Sequence, residues 1–104
     1  MATKRQRALS TIVSTMLPSA PFSETAEIKR MANAPHLRHL PLHIAVRLCA
    51  LSYVRHRYTD YDRLLEDGLD QAAARYCVVS DMIAQLGDWG MVITETELLE
   101  AQDE

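Results

Sequence analysis

Apolar residues recur three and four positions apart along most of this 104-residue chain, with prolines, glycines and capping residues between the repeats. Leu9, Ile12, Val13, Met16 and Leu17 make the first stripe, which predicts a helix from near Lys4 to Leu17. Pro18 and Pro21 stop it, because proline cannot continue a helix and biases the preceding residue away from helical angles. A second helix follows with Ser23 as its N-cap. Glu24 and Glu27 favour the positive end of its dipole, and Ala26, Ile28, Met31 and Ala32 supply its contacts. Asn33 closes it in a left-handed turn, and Phe22 reads as a hydrophobic staple.

After a connector over 34–40, Pro41 opens a third helix that runs to about Arg57. Its apolar residues, from Leu42 and Ile44 through Leu51 to Tyr53 and Val54, wrap almost all the way round. A helix apolar on nearly every face is buried, so this one is the centre of the domain. Thr59 followed by Asp62 reads as a capping box for a short helix over 60–66, ended by Gly68 in the left-handed conformation. Asp70 then caps a continuous helix from Gln71 to Leu86. There Ala72, Tyr76, Val79, Ile83 and Leu86 face the core, and Gly87 ends it. Trp89 folds back on the bundle, Met91 to Ile93 is a short extended piece, and 95–104 is a weak acidic helix or a tail.

Composition agrees with the helical reading. Three glycines, four prolines and 6% aromatics leave too few turn residues for a sandwich or barrel. The fold class is therefore all-α: a small bundle of four to five helices around the central helix at about 41–57. The domain organisation expected is one helical domain over 1–90 and an acidic C-terminal tail over 91–104.

Charge changes the picture more than composition does. Residues 1–87 hold eleven basic and eight acidic side chains, a net of +3, whereas residues 88–104 hold six acids and no base. Ile28 to Thr59 contains six Lys and Arg, all four His and no acid. One face of the fold is thus expected to carry a basic field, with the acidic tail as solubiliser or internal competitor. At 100° per residue, His43, Arg47 and Arg57 fall within about 80° of one another on the third helix. The basic, acid-free first 23 residues resemble a transit peptide in composition, but an ordinary first helix with a basic start is the preferred reading. No apolar run approaches membrane-spanning length. Cys49 and Cys77 stand apart, in neither disulfide nor zinc spacing, which fits a reducing, cytoplasmic address.

Chemistry concentrates at the junction from Arg55 to Leu65. His56 with Asp60 or Asp62 and a neighbouring phenol, Tyr58 or Tyr61, has the composition of an acid–base set. Capping by Thr59 and Asp62 demands only local geometry and is the simpler account. His36, His39 and His43 have spacings compatible with a metal site, yet Pro41 interrupts them and no carboxylate lies between Glu27 and Asp60. No metal and no cofactor is expected, and no catalytic residue is assigned.

Val54-Arg55-His56-Arg57-Tyr58-Thr59-Asp60-Tyr61-Asp62-Arg63-Leu64-Leu65, with the apolar helix before it, Gly68 and Asp70 after it and Trp89 at the close, resembles domain-of-unknown-function family 2293. That family comprises uncharacterised bacterial and fungal proteins, and the resemblance spans roughly residues 42–89. Its hallmark is R-H-x-x-T-x-Y-D-x-L-L. The resemblance implies no activity, cofactor or site residue. It also implies a glycine- and arginine-containing segment before the apolar helix, whose place is taken here by Asn33 to Leu40 without glycine.

The residues favour a non-enzymatic module that binds nucleic acid or another polyanion through the acid-free face 28–59. Its ligand-binding candidates are Arg47, Arg55, His56, Arg57, Tyr58 and Tyr61, and its anion-binding candidates are Arg38, His39 and His43. The alternative is a protein-interaction or homodimerisation domain using surplus apolar surface on the first helix and on the Met82 side of the last. A third reading is a small enzyme built on His56, Tyr61 and Asp62.

Overall fold

Thr3 opens the first helix with a reciprocal capping box. Its hydroxyl accepts from the Gln6 N–H at 3.1 Å, and the Gln6 side-chain oxygen accepts from the Thr3 N–H at 2.9 Å. In the computed structural model, which describes residues 2–100, α1 (Lys4–Met16) turns through Pro18 into α2 (Phe22–Ala32), and the two form an antiparallel hairpin. A 3₁₀ turn (Pro35–Leu37) leads into α3 (Leu42–Tyr58), which packs on both. The chain continues through α4 (Tyr61–Glu66), α5 (Gln71–Cys77), α6 (Val79–Asp88) and α7 (Glu95–Glu100). Among the described residues there are seven α-helices and no strand, a small all-α bundle.

The central place of α3 follows from its sequence. Ala45, Val46, Cys49, Ala50, Leu51, Tyr53 and Val54 are all buried, against α1 and α2 on one side and α6 on another. The α1 stripe docks there through Leu9, Val13 and Leu17, and α6 through Met82 and Leu86. This removes the apolar surplus expected on those two helices: Leu9, Val13 and Met82 are each 1% exposed within a single copy of the chain. Met91, Ile93 and Leu98 belong to the same core, so the residues described beyond Gly90 pack onto the bundle. The last four residues, 101–104, lie outside the described residues.

Several local expectations need correction. The α2 helix starts two residues early, at Phe22, with the Pro21 carbonyl accepting from both Glu24 and Thr25. Ser23 therefore does not cap it, and Phe22 is 80% exposed beneath the Lys29 ammonium rather than stapled. Asn33 stays at φ −87°, because the chain passes directly into the 3₁₀ turn and needs no left-handed reversal. The expected helix 71–86 is two helices. Val78 sits at φ −104°, ψ 5° and its N–H reaches back three residues to Arg75. That step buries Ala74, Val78 and Val79 while turning Ala72 and Tyr76 out to solvent.

Helix ends after α4 and α6 are built alike. In α4 the Gly68 N–H bonds Leu65 and the Leu69 N–H bonds Leu64; in α6 the Gly90 N–H bonds Gly87 and the Met91 N–H bonds Leu86. This pair of bonds is the Schellman motif, which sets the residue after the cap at positive φ and so favours glycine. Gly68 has φ 106° and Gly90 φ 98°. The terminator of α6 is thus Gly90, and Gly87 lies inside the helix.

Candidate polyanion interface

The α3–α4 junction brings its polar residues together, but mostly for architecture. Thr59 ends α3: its hydroxyl donates to the Arg55 carbonyl and accepts from the Tyr61 N–H at 3.2 Å. The capping box expected between Thr59 and Asp62 therefore does not form. Asp62 instead hydrogen-bonds His56 Nδ1 at 2.7 Å, tying α4 back to α3. The His56 ring meets Tyr61 edge-on, with centroids 5.4 Å apart, and Tyr61 is itself buried. The Arg55 guanidinium lies over the same Tyr61 ring at 5.6 Å, and Arg55 is only 1% exposed. The His56–Asp62 pair is half-exposed and lines none of the clefts described below.

The other junction candidates are drawn toward α2 and α6. Tyr58 donates its hydroxyl to Glu24, and its ring stands edge-on to Trp89 at 5.3 Å. That hydrogen bond, followed by burial, pushes the Tyr58 phenol up to about 12. Arg57 stacks over Tyr53 at 5.4 Å, a cation–π contact on an aromatic cluster that also includes Trp89. Arg47 pairs with Glu97 at 3.3 Å. Glu97 is fixed in turn by Thr94, whose N–H and hydroxyl both donate to it, and these bonds, with Arg47, hold its carboxyl below the ordinary range.

The acid-free segment is therefore not an acid-free surface. Glu24, Glu27, Asp62 and Glu97, all outside 28–59, supply it with carboxylates in space. What remains basic is one end of the bundle, where α1 begins, α2 ends and α3 begins. Arg5 fixes that convergence by donating its Nε to the Asn33 side-chain oxygen at 2.9 Å. Lys4, Arg5 and Arg7 come from α1, and Lys29 and Arg30 from α2. Arg38, His36 and His39 come from the connector and His43 from the first turn of α3, all four exposed. Glu27, midway along α2 and within reach of Arg57 at the far end of α3, is clamped by Arg30; the guanidinium pulls the Glu27 carboxyl down and is itself pushed up. The contribution of α1 was the missed element: its three bases stand far from 28–59 in sequence.

Two clefts flank Arg30. One, of about 340 Å³ between α1 and α2, is lined by Gln6, Leu9, Ser10, Ala26, Lys29, Arg30 and Asn33. The other, of about 330 Å³ between α2 and α3, is mainly apolar, with Met31, Leu37, Leu48 and Cys49. Burial pushes the Cys49 thiol up to about 11, so Arg30 and His36 are the polar groups of its lining that can carry charge. Among the described residues no three His, Cys, Asp or Glu converge as a metal site, and no helix is long and apolar enough to cross a membrane.

A family model described as Uncharacterized conserved protein (DUF2293) matches residues 12–90. The chain belongs to the DUF2293 family. No curated protein and no solved structure matches it. The DUF2293 match is wider than the 42–89 that carry the sequence resemblance, and it takes in most of the α1–α2 hairpin. Lys4, Arg5 and Arg7 precede it, and α7 with its Glu97 follows it.

Proposed function

We propose that this DUF2293 protein is a non-enzymatic module that binds nucleic acid or another polyanion through the basic end of its α1–α2–α3 bundle. The observation that carries the reading is the convergence pinned by the Arg5–Asn33 hydrogen bond. Six Lys and Arg and three exposed His lie on the helix ends and connector adjoining that bond, and Glu27, midway along α2, is already clamped by Arg30. Cations clustered in this way attract a phosphate backbone, and the binding weakens steeply with salt as counterions return. Arg38, His39 and His43 stay in the interface, whereas Arg47 marks its edge, where α7 begins to compete. Free Cys49 and Cys77 accord with a reducing, cytoplasmic setting.

Fluorescence anisotropy with labelled mixed-sequence RNA and DNA tests the reading. Binding at low salt is expected to collapse on adding salt and to be lost in the double variant Arg5→Glu, Arg38→Glu. Absence of binding to either polymer at low salt would sink it. Homodimerisation is the weaker reading, because the α1 stripe and Met82 are already covered inside one copy.

A further inference from the structure

The cleft between α1 and α2 differs from the rest of the basic end in having its acceptors already taken. The Asn33 side-chain oxygen receives Arg5 Nε at 2.9 Å, which leaves the Asn33 amide its two N–H donors. The Gln6 oxygen receives the Thr3 N–H at 2.9 Å, which leaves Gln6 its donors as well. The Ser10 oxygen faces Lys29 Nζ at 3.4 Å, so its O–H is what it can offer a ligand. Glu27 occupies Arg30 Nε and Nη2 but not Nη1, and Glu27 does not line the cleft. Arg5, which holds the Asn33 oxygen, does not itself line the cleft.

We infer that this cleft seats a single phosphoryl group, its oxygens received by Ser10, Lys29, Arg30 and Asn33. A phosphoryl group offers three strong acceptor oxygens to a wall that presents donors and two cations, and charge-assisted bonds of this kind are the strong ones. Leu9 and Ala26 supply the apolar part of the lining. The group belongs either to a nucleic-acid backbone, in which case the inference rests on the function proposed above, or to a free phosphomonoester.

Backbone-amide NMR titration of the full chain separates these cases, with inorganic phosphate, a mononucleotide and a short oligonucleotide as probes. Saturable shifts confined to residues around 6, 10, 26, 29, 30 and 33, with phosphate displacing the oligonucleotide, are the expected result. Asn33→Asp places an acceptor charge in the cleft while keeping the partner of Arg5, and it should weaken phosphate binding about tenfold or more. Lys29→Gln should weaken it in the same direction, and the remote Arg63→Gln should change nothing. Oligonucleotide binding without any phosphate effect at the cleft overturns this inference and leaves the module reading intact. Phosphate and mononucleotide binding without oligonucleotide binding supports the cleft, assigns it to a free phosphomonoester, and overturns the polyanion reading. Weak, unsaturable shifts spread over every basic residue, unaltered in Asn33→Asp, overturn the inference too.

Discussion

The three glycines of this chain should give three different outcomes when each is replaced by alanine. Gly90 holds φ 98°, and a Cβ there would stand 2.6 Å from Cγ and 2.8 Å from Cδ of Pro18. The left-handed backbone costs an L-residue roughly 1–2 kcal/mol. The pyrrolidine ring cannot rotate out of the way, and forcing an extra methyl into a packed site costs about 1–3 kcal/mol more. The local backbone is held as well, since the Ser19 N–H bonds the Trp89 carbonyl at 3.0 Å. With about 0.4–1 kcal/mol returned by a stiffer unfolded chain, Gly90→Ala should therefore destabilise by roughly 1–4.5 kcal/mol. Gly68 at φ 106° has nothing within 4 Å of the place a methyl would take, so Gly68→Ala carries the backbone strain alone. A stiffer unfolded chain offsets about 0.4–1 kcal/mol of that, leaving a net cost of ~1 kcal/mol. Gly87 lies inside α6 with open space around it, and Gly87→Ala should stabilise by about 0.5–1 kcal/mol. Urea unfolding followed by circular dichroism and by Trp89 fluorescence measures all three. Equal losses in Gly90→Ala and Gly68→Ala would refute the Pro18 contact, and a destabilised Gly87→Ala would refute the placement of the α6 terminus.

Two further outcomes follow from buried and bonded groups. Cys77 is exposed and Cys49 is buried with its thiol pushed up to about 11, so a thiol reagent should modify one cysteine quickly and the second much more slowly; two fast thiols would contradict the core assignment. The Tyr58 phenol ionises at about 12 in the folded protein, against about 10 in an unfolded chain. Its stabilising contribution is therefore complete below pH 10 and lost as pH rises toward 12, and it is small because Tyr58 is 42% exposed and solvent screens the contact. Glu24→Ala should bring the Tyr58 phenol down in the alkaline absorbance titration while burial keeps Tyr53 raised; an unchanged tyrosinate curve would show that Glu24 is not the partner of Tyr58.

The helices and their centre were legible because hydrophobic spacing reports burial along one element at a time. The all-round apolar run of 42–54 could only be the core, and it is. Elements read wrongly share a different cause: each was decided by a contact between segments or by a one-residue step. The Val78 step leaves no mark in a helical pattern, since a stripe through Tyr76 and Val79 is as regular as one through Ala74 and Val78. Gly87 and Gly90 are equally plausible terminators by composition, and only the bonds from Gly90 and Met91 into the last turn choose between them. Asp62 had two available partners, the cap beside it and His56 six residues back, and the imidazole outcompeted the local amide.

Charge was the least legible property, for a reason that bears on the site. A count along the chain treats 28–59 as one basic block, but α3 crosses the whole bundle, so its two ends face different neighbours. At its C-terminal end Arg55 is taken into the core over Tyr61, and Arg57 lies on Tyr53 near Glu27. One turn beyond its N-terminal end Arg47 is met by Glu97. Only the first turn and its connector keep an open field, and there the hairpin returns α1 to the same place, bringing Lys4, Arg5 and Arg7 from the opposite end of the sequence. The segmental charge pattern thus reported a basic stretch without showing which of its side chains meet carboxylates or rings in space. Pairing depends on which helix ends meet, and the Arg5–Asn33 bond, spanning 28 residues, is the contact that decides it.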